Sequence, residues 1–151
     1  MEPGLERPDS GKVRYSCKKL RVGYIPDRFP KDIRFTPMEY LSVGKINGMA
    51  SSCLYRRLPA LLARFQLDKY SNQRIHKLSK GNIQKVAIIQ AVLQQPELLI
   101  MDEPVSGLDF SAQQELLLLI KELKEQGTAF LLLYIRSFLT CFQSLFLFRL
   151  A

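Results

Sequence analysis

The 151-residue sequence has little from which to build a metal or disulfide framework. Its three cysteines, Cys17, Cys53 and Cys141, lie far apart and form no CxxC pair, which argues against a disulfide scaffold and a zinc site and fits a reducing compartment. The single histidine, His76, has no cysteine or second histidine nearby, so metal ligation through it is not expected. No G-x-x-x-x-G-K-S/T stretch occurs; the only Gly-Lys pairs, Gly11-Lys12 and Gly44-Lys45, are followed by Val13 and Ile46. Without such a loop the sequence offers no cradle of backbone amides and no lysine for the β- and γ-phosphates of a nucleotide. Lys and Arg outnumber Asp and Glu by 22 to 14, but no basic run exceeds two residues, so nucleic acid is not an expected partner. No basic segment leads into an apolar stretch at the start, so no signal peptide is expected. Internal repeats and low-complexity tracts are also lacking.

What is present reads as one domain with its own core: 47% of residues are hydrophobic and 24% charged. Met1 to Lys12 reads as loop. Val13 to Tyr15 and Arg21 to Ile25 are candidate strands, the second stopped by Pro26. Thr36 as cap and Pro37 in the first turn open a helix through Met38, Tyr40, Leu41 and Val43. A second helix is expected from Pro59 to Phe65.

Asn82 to Gln95 has the helical spacing of Val86, Ile89 and Leu93, and ends ahead of Pro96. Leu98 to Met101 is a continuous apolar run that suits a buried parallel strand. Ser111 is expected to cap the next helix, with Gln114 completing a capping box. Ala112, Leu116, Leu119, Ile120 and Leu123 form its inner face and Gly127 closes it. Ala129 to Tyr134 is expected as another buried strand. Helix, strand, helix, strand is the order of a parallel α/β sheet.

Three short motifs carry the chemistry. The apolar strand delivers Asp102 and Glu103 at its C-terminal edge, where open α/β sheets place ligands, and Pro104 stops it there. Asp102 suits magnesium and Glu103 suits orienting or deprotonating a water. A solvated Asp-Glu turn is the competing reading of this pair alone. Upstream, Leu78-Ser79-Lys80-Gly81-Asn82 places a hydroxyl and a glycine amide at a helix N-terminus, a natural anion site and equally an ordinary serine cap. Downstream lies the turn Ser106-Gly107-Leu108-Asp109.

In this order and spacing the three motifs resemble the nucleotide-binding domain of ABC transporters. Leu78 to Asn82 resembles its signature motif, Leu98 to Glu103 its Walker B and Ser106 to Asp109 its D-loop. The resemblance implies an α/β fold, a partial P-loop NTPase (RecA-like) parallel sheet core with a helical subdomain. It also implies that Asp102 holds Mg2+, Glu103 is the catalytic base, and Ser79 and Gly81 contact ATP bound by an opposite subunit. Asp109 would lie at the dimer seam, and Lys80 stands where glycine is more usual. Arg7 to Val13 resembles the start of a β-hairpin, and Val22 to Asp27 the strand into the Q-loop, with Asp27 in place of the usual glutamine. Glu39 to Gly48 resembles the helical subdomain, in a form more similar to ABC-2-type exporters than to sugar importers.

The implied divisions are 1–36, core and hairpin up to the Q-loop; 37–78, the helical subdomain; 79–134, signature helix, Walker B and D-loop; and 135–151, a divergent apolar tail. Implied partners are transmembrane permease subunits and a second nucleotide-binding domain arranged head to tail, on the cytoplasmic face of the membrane. The adenine-stacking aromatic and the switch histidine of the family have no counterpart. A histidine is expected near Leu133 to Arg136, where the sequence reads Leu-Leu-Tyr-Ile-Arg. A truncated or frameshifted domain accounts for both ends. Two other readings are a non-catalytic partner that lends Ser79, and a small membrane protein anchored by Thr128 to Phe148.

Overall fold

The computed structural model describes residues 20–43 and 51–133 together with Ser10, and for 51–55 the backbone alone. The strand expected at Val13 to Tyr15, the hairpin start, the Gly44 to Gly48 stretch and the 135–151 tail lie outside these residues. In chain order the elements are β1 (Val22–Ile25), α1 (Pro37–Ser42), α2 (Ser51–Arg64), α3 (Lys80–Leu93), β2 (Leu98–Asp102), α4 (Phe110–Glu125) and β3 (Ala129–Leu133). Short 3-10 turns at Asp68–Tyr70 and Ile75–Lys77 join α2 to α3.

The strands form a parallel sheet in the order β1-β2-β3. Ile25 pairs with Met101 and Met101 with Leu132, so Gly23, Ile25, Leu99, Met101, Phe130 and Leu132 share one face. That face carries the core: Ile25 and Leu99 are fully buried, and Phe130 and Leu132 pack partly buried against them. Helix α3 approaches β1 so closely that a Cβ on Gly23 would collide with the carbonyl oxygen of Ala91 and lie 2.9 Å from Leu99 Cδ1. The opposite face, with Tyr24, Leu131 and Leu133, is exposed among the described residues.

This corrects the expectation of two fully buried strands. β2 alternates between buried and half-buried residues, and β3 between exposed and half-buried ones. A parallel strand is buried on both faces only where helices cover both, and apolar composition does not say how many layers are present. Ala129–Leu133 is strand, not helix, and no described helix is long and apolar enough to cross a membrane.

Local signals set most boundaries. Thr36 caps α1: its side chain accepts from the Glu39 amide at 3.3 Å, and Glu39 Oε2 accepts from the Thr36 amide at 2.8 Å. The Glu39 carboxyl is held below its usual value chiefly by that backbone N–H, with a smaller contribution from Arg74. Helix α2 begins at Ser51, eight residues before the expected Pro59, which sits inside it. Proline opens helices well because its missing N–H is unneeded there, but one interior proline removes a single hydrogen bond that tertiary packing can offset. Leu58, Leu61, Leu62 and Phe65 of this segment are all buried.

Helix α3 starts and ends two residues earlier than expected. Gln95 adopts φ 51°, the left-handed turn that ends a helix ahead of Pro96. The cap of α4 is Asp109, not Ser111, which lies within the first turn. An Asp at the cap accepts from the third amide on, and Asp109 Oδ1 does so from Ala112 at 2.8 Å. The inner face of α4 is as expected: Ala112, Leu116, Leu119, Ile120 and Leu123 are buried, and Gly127 follows with φ 90°.

Candidate functional site

The apolar strand β2 carries Asp102 and Glu103 to its C-terminal end, and both are half-buried. At Glu103 the backbone turns to φ 43°, a left-handed conformation that side chains with a Cβ rarely adopt. Pro104 is buried, and the Ser106 amide donates to the Glu103 carbonyl at 3.0 Å. The chain thus turns immediately after its carboxylates, with Ser106 hydrogen-bonded back to Glu103.

The parallel register places the end of β1 at the same edge, since Ile25 is opposite Met101. Pro26 and Asp27 follow there, with Asp27 Oδ2 3.6 Å from Arg28 Nε. Gln84, enclosed within α3, donates from Nε2 to the Pro26 carbonyl at 3.1 Å and so pins this loop to the helix.

The third part of the site is the N-terminus of α3. Ser79 is exposed and caps the helix, its Oγ accepting from the Asn82 amide at 3.3 Å. Gly81 lies directly against the downstream turn: a Cβ there would collide with the carbonyl oxygen of Gly107. Two lysines of α3 reach the same turn. Lys80 Nζ donates to Ser106 Oγ at 2.8 Å, and Lys85 Nζ to Asp109 Oδ2 at 3.0 Å. Asp109 therefore serves two donors, and its carboxyl is held below the usual range first by the Ala112 amide and then by Lys85. Beside it Phe110 is 75% exposed.

Sequence reasoning missed Gln84, Lys85 and the Lys80–Ser106 contact. A signal for the first two was present. They are polar residues set among the apolar positions Ile83, Val86, Ala87, Ile88 and Ile89, and burial in that company obliges each to find a partner.

Among the described residues no group of three His, Cys, Asp or Glu side chains could hold a metal ion. Asp102 fits magnesium as a single carboxylate, because that ion keeps several waters and takes further ligands from nucleotide phosphates. For ATP as a whole the described residues offer no phosphate-cradling loop, and no G-x-x-x-x-G-K-S/T stretch occurs in the 151 positions. What the chain holds is the carboxylate edge of β2, the N-terminus of α3 and the Ser106 to Asp109 turn packed against that helix.

The ABC transporter family profile matches residues 3–106. An ABC transporter ATP-binding protein of Alkalihalophilus pseudofirmus is 35% identical over 83% of this chain and 49% of its own length. The zinc import ATP-binding protein ZnuC of Rickettsia prowazekii is 34% identical over 82% of this chain and 51% of its own length. Among solved structures, an ATP-binding subunit of an ABC transporter superposes with a TM-score of 0.68 and 36% identity, over 74% of this chain and 47% of that one. The fold is that of the P-loop NTPase-like ABC ATPase domains. This chain belongs to the ABC transporter family, among its ATP-binding proteins, and spans about half the length of the curated relatives it matches.

Proposed function

We propose that this chain supplies the signature, Walker B and D-loop part of an ABC transporter's ATP-binding machinery, and that it acts on a nucleotide held by a second ATP-binding domain. The observation that carries this reading is the packing of three motifs into one unit. The exposed Ser79 cap and the turn from Ser106 to Asp109 are joined through Gly81, Lys80 and Lys85, and the Ser106 amide ties that turn to the Glu103 carbonyl at the end of β2. In this reading Ser79 and the Gly81 amide meet the phosphates of ATP across a head-to-tail dimer, where a helix N-terminus favours negative charge. Asp102 is the carboxylate for Mg2+, Glu103 orients or deprotonates a water, and Asp27 faces the same edge from the Q-loop position. Asp109, with the exposed Phe110 beside it, lies at the dimer seam. The divisions 1–36, 37–78, 79–134 and 135–151 mark the successive parts of the domain. Transmembrane permease subunits are the partners, and the site of action is the cytoplasmic face of the membrane. The energy of ATP binding and hydrolysis is coupled to transport by the assembled subunits.

A complementation assay tests this. A P-loop-bearing ABC ATP-binding subunit is inactivated by replacing its own signature serine with arginine, then mixed with this chain. Restored magnesium-dependent ATPase activity that disappears with Ser79→Arg in this chain is the expected result. No restoration, or restoration indifferent to Ser79→Arg, overturns the reading. The chain alone is expected to be inactive, and activity of the isolated chain abolished by Glu103→Gln would also overturn it.

A further inference from the structure

Stability alone does not account for the lysine in the signature turn. Lys80 is the first residue of α3, where a positive charge opposes the helix dipole. It is exposed, and a hydrogen bond there adds little to folding. Yet its side chain is laid along the downstream turn: a Cβ on Gly107 would come 3.2 Å from both Lys80 Cγ and Cδ, and Nζ ends 2.8 Å from Ser106 Oγ. The other end of that turn is already fixed by Lys85 on Asp109 and by Gln113 Nε2 on the Leu108 carbonyl at 3.0 Å. The ammonium of Lys80 is thus the side-chain donor that the structure places on the Ser106 hydroxyl.

From this geometry we infer that Lys80 is a positioning residue that locks the D-loop to the signature turn of the same chain, with Ser106 as its contact. The ammonium occupies one lone pair of Ser106 Oγ and leaves the hydroxyl proton free for another acceptor. A signature turn and a D-loop held as one body meet a partner together, with less freedom to lose on association. This role rests on the trans-acting reading of Ser79, because the seam matters only where a second domain binds.

The complementation assay is repeated with Lys80→Met, Lys80→Arg, Ser106→Ala and the Lys80→Met/Ser106→Ala double variant. Lys80→Met is expected to lower kcat by roughly tenfold, the scale on which loss of positioning acts, while KM for ATP is unchanged. Lys80→Arg, which keeps a donor of similar reach, restores kcat. Ser106→Ala matches Lys80→Met, and the double variant is no worse than either, as for two residues in one contact. Unchanged kcat, additive losses, or a raised KM with kcat intact each overturns the inference, the last because it marks direct contact of the charge with nucleotide. Amide hydrogen exchange of 105–109 in the isolated chain gives a readout independent of any partner. Exchange there is expected to quicken in Lys80→Met and not in Ser79→Arg, and equal exchange in Lys80→Met and the parent chain overturns the tether. Loss of Ser79 dependence in the mixed assay would sink the trans-acting function, while the exchange result would still judge the tether.

Discussion

Lys85 Nζ donates to Asp109 Oδ2 across 3.0 Å, joining a lysine whose side chain is 9% exposed to the cap of the next helix. The contact links the middle of α3 to the start of α4, so the two helices share one polar anchor. Asp109 is the outer, hydrated member, which leaves Lys85 as the group that depends on the pair.

The two duties of Asp109 separate by substitution. Asp109→Ala removes both the cap and the counter-ion, at an expected cost of about 2–4 kcal/mol. Asp109→Asn keeps a capping oxygen and loses only the charge, at about 1–2 kcal/mol. Urea unfolding with an unchanged m-value measures both. Equal losses in the two variants would show that the cap contributes nothing.

The same carboxylate sets a pH dependence. Asp109 and Glu39 are both held below their ordinary values, by the Ala112 amide with Lys85 and by the Thr36 amide respectively. The unfolded chain therefore binds their protons at higher pH than the folded chain does. Their contribution is complete above the ordinary carboxylate range, about pH 4, and is lost as pH falls through the depressed folded values. Thermal unfolding midpoints should fall below that point. An Asp109→Asn/Glu39→Gln variant should show a shallower fall, and equal slopes would exclude these two groups as its source.

Signals confined to a few neighbouring residues were legible in the sequence, and those that depend on distant partners were not. Thr36 with Pro37, the inner face of α4 and Gly127 are each set within one or two helical turns, and all stand as expected. Ser111 and Asp109 both head a plausible cap two residues apart, and the buried Lys85, 24 positions upstream, holds the carboxylate of Asp109. Pro59 imitates a helix start because the packing that carries α2 through it comes from other elements. The motifs themselves stood out as Ser79, Asp102, Glu103 and Asp109. What local pattern could not show is that Gly81 and Gly107 touch, since that contact is made by backbone.

Glu103 has a backbone conformation that its own side chain disfavours. Its φ of 43° costs a residue with a Cβ about 1–2 kcal/mol relative to right-handed geometry, whereas glycine adopts it freely. Glu103→Gly should therefore raise the unfolding free energy by about 0.5–1 kcal/mol after the extra entropy of the unfolded glycine is deducted. A destabilised Glu103→Gly would mean that the carboxylate makes contacts worth more than the strain.

Arg64 ties the end of α2 to α4 with all three of its donor nitrogens. Nε lies 2.7 Å from Glu115 Oε2, and Nη1 and Nη2 lie 2.8 and 2.9 Å from the two oxygens of Glu122. Glu122 is held below its usual carboxylate value mainly by these bonds, and Arg64 is raised by them. Glu115 and Glu122 follow each other along one side of α4, so a guanidinium between them also relieves their repulsion. Partial exposure screens the pairs, and Arg64→Ala should cost about 1–2 kcal/mol despite three short contacts. Arg64→Lys retains the charge but only one point of attachment, and should recover less than half of that loss. A double-mutant cycle between Arg64→Ala and Glu122→Gln measures the coupling, expected at about 0.5–1 kcal/mol and smaller at high salt. A coupling that salt leaves untouched would mean that α2 and α4 are joined there by packing of the arginine stem and not by its charge.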